Sequence, residues 1–181
     1  MKYINLNKGY RAIVDDEDYE RLLTFEGVYR YKKNKTRRWF IIECDDGQLY
    51  AVGNCRAEKD RWTRERMHRV ILHVKDPALR VDHINGNGLD NQKHNLRIAT
   101  NQQNAWNMKK PVHRSGKLMS SLYKGVSWNR QVKKWQAHIR ANGKSKYLGL
   151  FVHEQEAAKA YNDAASQKFG NFARINNVNK D

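Results

Sequence analysis

Residues 80–104 read RVDHINGNGLDNQKHNLRIATNQQN. Arg80 to Ile84 has the alternation of a strand, Asn85 to Gln92 is a Gly/Asn/Asp loop, and Asn95 to Ala99 reads as a second strand. Thr100 suits the N-cap of a helix running from about Asn101 to Lys109. The unit is therefore strand, loop, strand, helix. Asp82 and His83 sit on the first strand, Asn95 follows His83 by twelve residues, and Asn104 comes nine later. A carboxylate, an imidazole and two carboxamides are gathered around one fold-back.

Those groups suit one hard divalent cation and one activated water. Asp82 is a hard oxygen ligand and the Asn104 amide oxygen a second, a set that favours Mg²⁺, with Mn²⁺ as the alternative. His83 titrates near neutrality and as a neutral imidazole takes a proton from water. Adjacent strand residues point apart, so Asp82 can hold metal while His83 addresses water. Asn95, on the partner strand, fixes the ring orientation or the backbone around it. His94, beside Asn95, is an alternative ligand. Phosphodiester hydrolysis needs a deprotonated water, charge stabilisation at phosphorus and help for the departing oxygen, and this set can meet all three. A lone Asp-His or Asn-Gly pair is common; the ordered set carries the signal.

Upstream, residues 1–66 read as short strands: Tyr3 to Leu6, Ala12 to Val14, Trp39 to Glu43 and Leu49 to Val52. Asp15 to Leu23 reads as a helix with acidic residues in its first turn. Turn signals stand at Asn34 and at Asp45-Asp46-Gly47. The charged stretch RAEKDRWTRER (56–66) fits either a helix edge or a loop. Met67 to His73 reads as a short apolar helix stopped before Pro77.

Downstream, Lys109 to Ser121 (KKPVHRSGKLMSS) has the composition of a linker. Strands follow at Tyr123 to Trp128, Lys134 to Ala141 and Ser145 to Phe151, with an Asn142-Gly143 hairpin turn between the last two. Glu154 to Phe169 is a helix ended by Gly170. Its Ala157, Ala158, Tyr161, Ala164, Ala165 and Phe169 form one packed stripe. On Trp135 to Arg140 the alternation sends Trp135, Ala137 and Ile139 to the helix and leaves Gln136, His138 and Arg140 on an open polar face.

The chain carries 35 Lys and Arg against 19 Asp and Glu, a net charge of +16. Residues 117–181 hold 12 basic and 4 acidic side chains, whereas residues 1–108 hold 20 and 15. Scattered lysines are an ordinary solvated surface; this concentration favours a polyanion such as nucleic acid. Cys44 and Cys55 form no CxxC, so no structural zinc is expected, and free thiols are. The opening MKYINLNKGYR lacks the apolar run of a signal peptide, and no stretch is long enough to span a membrane. His68 reads as a packing residue or a phosphate contact, and His73, His113 and His153, like Trp62 and Trp106, read as packing or surface residues.

His68 to Asn104, with HRVIL, VDHINGNGLDN, NLRIAT and the closing QN, resembles the HNH endonuclease family, and within it the phage and intron homing type whose last ligand is Asn. The resemblance implies a ββα-metal core with His83 as general base, Asp82 on metal, Asn95 orienting the histidine and Asn104 completing the metal site. It also implies 5′-phosphate and 3′-hydroxyl products.

Tyr123 to Asn176 is similar to the AP2 DNA-binding domain. YKGVSW, WQAHIR, KYLGLF, EQEAAKAYNDAA and FGNFARIN stand at that domain's positions. The resemblance implies a three-stranded sheet laid in the DNA major groove. Lys124, Arg140 and Tyr147 match basic or aromatic contact positions, and Asn129 and Arg130 lie in the first turn. Gln136 and His138 share the polar face with Arg140, which can read guanine, while Lys124, Arg130, Lys134 and Lys146 suit phosphate. Ser127 and Ser145 stand where plant members often have Arg, so the plant target sequence does not transfer.

The expected fold class is α+β: a ββα-metal nuclease core with a β-rich N-terminal extension, plus an AP2-like sheet and helix. The expected division is 1–66, 67–108, a basic linker at 109–122, and 123–177. The expected function is a metal-dependent DNA endonuclease, homing or phage type, addressed by the AP2-like part; the alternatives are a non-catalytic DNA-binding regulator and a non-specific nuclease. The expected partner is double-stranded DNA, with no membrane and no protein partner, as a monomer or weak dimer in the cytoplasm of a bacterial host or phage-infected cell.

Overall fold

The computed structural model describes residues 1–24, 39–44, 47–58, 61–114 and 116–178, with residues 55–58, 61, 62 and 114 as backbone. The expected turns at Asn34 and Asp45-Asp46 lie outside the described residues. The fold is mixed α+β, built from several small antiparallel sheets and a few helices. It divides into two compact units, Met1–Asn101 and Gln102–Asp181.

The first unit opens with strands β1 (Lys2–Asn5) and β2 (Arg11–Val14), which pair antiparallel. Helix α1 (Asp16–Thr24) follows with Asp16, Glu17 and Asp18 in its first turn, where the helix dipole favours them. Strands β3 (Trp39–Glu43), β4 (Leu49–Glu58) and β5 (Arg61–Arg66) form a three-stranded sheet. Residues 56–58 of the ambiguous stretch are thus the end of β4, and residues 61–66 are the whole of β5. Its charges hide the strand, because pairing with β4 rather than apolar alternation holds it there. Helix α2 (Met67–Ile71) ends close to where expected.

The core of this unit gathers Leu22 from α1, Trp39 from β3, Met67 and Ile71 from α2, and Val81 and Leu96 from the next hairpin. Trp39 is buried, and its indole N–H donates to Leu22 O at 3.0 Å, so the polar edge of the largest core side chain is satisfied.

That hairpin is β6 (Arg80–His83) with β7 (Leu96–Ala99), in the register Arg80↔Ala99, Asp82↔Arg97 and His83↔Leu96. Asn95 belongs not to the strand but to a single 3-10 turn, Lys93–Asn95, that precedes it. Helix α3 (Asn101–Asn107) follows, and the boundary between the units falls just inside it.

The second unit begins with the rest of α3 and a two-residue hairpin, β8 (His113–Arg114) with β9 (Lys117–Leu118), inside the stretch expected as a linker. Strands β10 (Val126–Asn129), β11 (Lys134–Ala141) and β12 (Lys144–Phe151) form an antiparallel sheet in that order. Asn142 (φ 52°) and Gly143 (φ 75°) make the turn, both left-handed as a two-residue hairpin of this twist requires. Helix α4 (Glu154–Phe169) packs on the sheet through buried Ala157, Ala158, Tyr161, Ala165 and Phe169. Gly125 (φ +79°) is where the chain passes under α4: a Cβ there would lie 2.0 Å from the Tyr161 ring.

Candidate active site and nucleic-acid face

The β6–β7 hairpin brings Asp82 and His83 into the first unit side by side, both buried. Cross-strand Arg97 grips Asp82 Oδ2 through Nε at 2.7 Å and Nη2 at 2.6 Å. Asp82 is therefore oriented by a charge-assisted pair.

His83 Nε2 lies 3.3 Å from Asn91 Oδ1. A carboxamide oxygen only accepts, so Nε2 carries the proton and the lone pair is on Nδ1. The His83 ring packs edge-on against His68, with centroids 4.9 Å apart, and beside Tyr50 at 5.8 Å. Burial lowers the His83 pKa; the Asn91 bond, Asp82 and Asp90 oppose that, and Arg66 reinforces it. Burial holds His68 well below the usual histidine range, with His83, Arg66 and Arg69 pushing the same way. Both rings are accordingly neutral at neutral pH, the form in which a histidine accepts a proton.

Asn95 ties down the loop. Its Nδ2 donates to Asp90 O at 2.8 Å and to Asn85 Oδ1 at 3.1 Å, while its Oδ1 accepts from Asn85 N at 3.0 Å. Of the two partners expected for Asn95, imidazole or backbone, its bonds go to backbone and loop groups, and Asn91 contacts the imidazole. His94 lies beside Asn95 in the same 3-10 turn.

The N-terminal strands brace this loop from the other side. Ile13 N donates to Leu89 O and Asn91 N donates to Ile13 O, both at 2.8 Å. The Asp15 carboxylate accepts from Lys93 N at 2.7 Å and Gln92 Nε2 at 3.2 Å. Gly88 closes the contact with β4, since a Cβ there would sit 2.2 Å from Leu49 O and 2.7 Å from the Tyr50 ring. Ile13, Asp15, Leu49 and Tyr50 thus help to fix the conformation of the segment carrying Asn91 and Asn95.

Among the described residues no group of three or more His, Cys, Asp or Glu side chains is arranged to hold a metal. One oriented carboxylate, Asp82, with a carboxamide from elsewhere in the motif, fits an ion that keeps water and takes phosphate oxygens as its remaining ligands.

Asn104 lies on α3 in the second unit, half-buried. Within that unit Lys124 Nζ donates to Trp106 O at 2.6 Å, Met108 O at 2.7 Å and Ala105 O at 3.3 Å, and Trp106 stacks on Phe169 at 4.4 Å. Burial pulls the Lys124 ammonium down to about 8. Lys124, expected at phosphate, instead caps the carbonyl end of α3, where a cation is favoured.

The open face of the AP2-like sheet assembles as the alternation predicts. Antiparallel register sets Ser127 opposite Gln136, His138 opposite Tyr147 and Arg140 opposite Ser145. The His138 and Tyr147 rings are 5.2 Å apart. Gln136 Nε2 donates to Ser127 Oγ at 3.1 Å, and Asn129 Nδ2 to Gln136 Oε1 at 3.3 Å. Asn129 Oδ1 also accepts from Gln131 N and Val132 N, so it shapes the turn. Arg130, Lys134, Arg140 and Tyr147 are exposed. Lys146 is exposed too, but it stands opposite buried Ile139 and so on the helix side of β12, apart from the polar strip.

Sequence reasoning missed Arg97, Asn91, Asp15 and Tyr50. Arg97 was within reach, since pairing 80–84 against 95–99 sets it opposite Asp82. Asn91 was not, because nothing local separates it from the other asparagines of the loop.

No family model matches the chain, and no solved structure matches it. An uncharacterized HNH endonuclease of Acanthamoeba polyphaga mimivirus is 34% identical over 144 residues, which are 78% of this chain and 67% of that protein. Protein 3.8 of Escherichia phage T7 is 41% identical over 64 residues, 35% of this chain and 49% of that protein. APETALA2-like protein 2 of Oryza sativa is 40% identical over 67 residues, 37% of this chain and 15% of that protein. The first likeness covers most of the chain and the last only a segment. The chain belongs to the HNH endonuclease family and carries an AP2-like segment.

Proposed function

We propose that the protein is a metal-dependent DNA endonuclease of the homing or phage type, in which the AP2-like sheet selects where the HNH centre cuts. The observation that carries the reading is His83: a buried, neutral imidazole, oriented through Nε2 by Asn91 and flanked by the Arg97-held carboxylate of Asp82.

His83 Nδ1 accepts a proton from water as the water oxygen bonds to phosphorus and the P–O3′ bond breaks. The products are a 5′-phosphate and a 3′-hydroxyl. Asp82 and Asn104 are the residues that would hold the cation, a ββα-metal arrangement that rests on the motif's order. When bound, Mg²⁺ supplies charge stabilisation at phosphorus and at the leaving oxygen. Asn95 and Asn91 keep the loop and the ring in place, and Arg97 keeps the Asp82 carboxylate in place. On the sheet, Gln136, His138, Arg140 and Tyr147 face base edges, and Arg130 and Lys134 meet phosphate.

The test is cleavage of a random-sequence plasmid pool with Mg²⁺, sequencing the ends formed by wild type and by Arg140→Ala. The reading expects ends at a preferred sequence with wild type and blurred preference with the variant. Ends without preference from both proteins would leave a non-specific nuclease. Tight, sequence-selective binding with no cleavage in Mg²⁺ or Mn²⁺ would leave a DNA-binding regulator.

A further inference from the structure

Arg66 is the last residue of β5 and stands immediately before α2. It is half-buried, and its guanidinium carbon lies 5.0 Å from the centroid of the Tyr50 ring. That ring in turn is 5.8 Å from His83 and 5.6 Å from His68. The charge of Arg66 is felt at both histidines, lowering each. Among the described residues no carboxylate lies within salt-bridge distance of Arg66; Asp82, the acid of the site, is gripped by Arg97.

A guanidinium partly withdrawn from water is ordinarily paired, because desolvating a charge is costly unless an opposite charge compensates it. Here the packing runs the other way. The Tyr50 face fixes the guanidinium by cation–π attraction, and Gly88 packs closely against the Tyr50 ring. A planar fork of N–H donors is thus fixed on the ring that neighbours the proton acceptor, and what its position lacks is an anion. Phosphate matches that fork in charge and geometry.

We propose that Arg66 is a catalytic residue that binds a non-bridging oxygen of the phosphodiester being hydrolysed, with Tyr50 as its positioning residue. The proposal rests on the nuclease reading above. During the step the water oxygen–phosphorus bond forms and the water's proton passes to His83. The phosphorus–O3′ bond breaks, and its electron pair leaves on the 3′ oxygen, which takes a proton from solvent. Arg66 keeps all its protons and offsets the negative charge that builds on phosphorus, a role that strengthens from ground state to transition state.

The experiment is single-turnover cleavage of supercoiled plasmid in Mg²⁺ over a range of protein concentrations, with wild type, Arg66→Gln, Arg66→Lys and His83→Ala. Plasmid binding is measured in parallel without metal, and folding by circular dichroism. Arg66→Gln, which keeps the stem and loses the charge, is expected to lower the saturating rate on the order of 100-fold. Its plasmid affinity should change less than about threefold, and Arg66→Lys should recover part of the rate, which a merely structural residue would not produce. A saturating rate for Arg66→Gln within about threefold of wild type, with His83→Ala inactive, overturns the role of Arg66 and leaves the nuclease reading standing. A loss seen only as weaker binding also overturns it. If wild type and His83→Ala cleave equally, or neither cleaves, the nuclease reading itself fails and takes this proposal with it.

Discussion

His83 is a base because of its neighbours. Burial keeps it neutral, and Asn91 fixes which nitrogen holds the lone pair. Asn91→Ala should therefore slow cleavage about 100-fold through misorientation of the ring. Asn95→Ala should differ, costing about 1–3 kcal/mol in a denaturant titration, since it removes the clamp on Asn85 and Asp90. The two histidines also set an acid limit. Their folded pKa values lie below the unfolded value of 6.5, so above that pH both states are neutral and stability is full. Below it the unfolded chain takes up protons first, and stability falls by about 1.4 kcal/mol per pH unit for each ring until the folded pKa is passed. His68→Phe should halve that slope, measured as unfolding free energy between about pH 6.5 and 5, and be close to neutral at pH 7, because the buried Nδ1 of His68 has no partner. Asp82 and His83 were legible as residue types in order. The bond from Asn91 was not, because loop geometry, which sequence does not display, decides which of several asparagines reaches the ring.

At the scale of elements, one glycine and one carboxylate hold much of the architecture. Gly125→Ala meets both a left-handed backbone (φ +79°) and the Tyr161 ring, so it should destabilise the second unit by about 3 kcal/mol or more. Denaturant unfolding followed by tryptophan fluorescence checks this, since Trp106, Trp128 and Trp135 lie in that unit. Asp15→Ala removes the acceptor for Lys93 N and Gln92 Nε2 and should cost about 1–3 kcal/mol. It should also raise hydrogen exchange in the 89–95 segment, the mark of a brace. Helix α4 and strand β11 were read to their observed ends because each carries a clean period bounded by Gly or a hairpin turn. Strand β5 was not, since its residues are charged and only its partner β4 makes it a strand. The bracing by β1 and β2 was equally invisible, because pairing through backbone groups of Ile13 leaves no mark on side-chain pattern.

For the whole molecule, the charge is divided as the chemistry would need it. The first unit holds 20 basic and 15 acidic groups, and the second 15 and 4. Binding to DNA should weaken at least about tenfold between 50 and 200 mM salt, as release of counterions from several phosphates requires. Arg140→Ala should cost about 1–3 kcal/mol on the preferred site and little on random DNA, measured by competition binding. The two-part organisation was legible, since both motifs are dense and the basic residues cluster behind the first. The tie between Lys124 and the carbonyl end of α3 was not; it makes deletion of the C-terminal segment a poor test of addressing, and point substitutions on the open face a better one. The central claim is that His83 takes the proton in metal-dependent phosphodiester hydrolysis. Its most direct test is cleavage of supercoiled plasmid in Mg²⁺ by wild type and by folded His83→Ala. The account predicts 5′-phosphate ends with wild type and no cleavage above background with the variant; equal cleavage by both would contradict it.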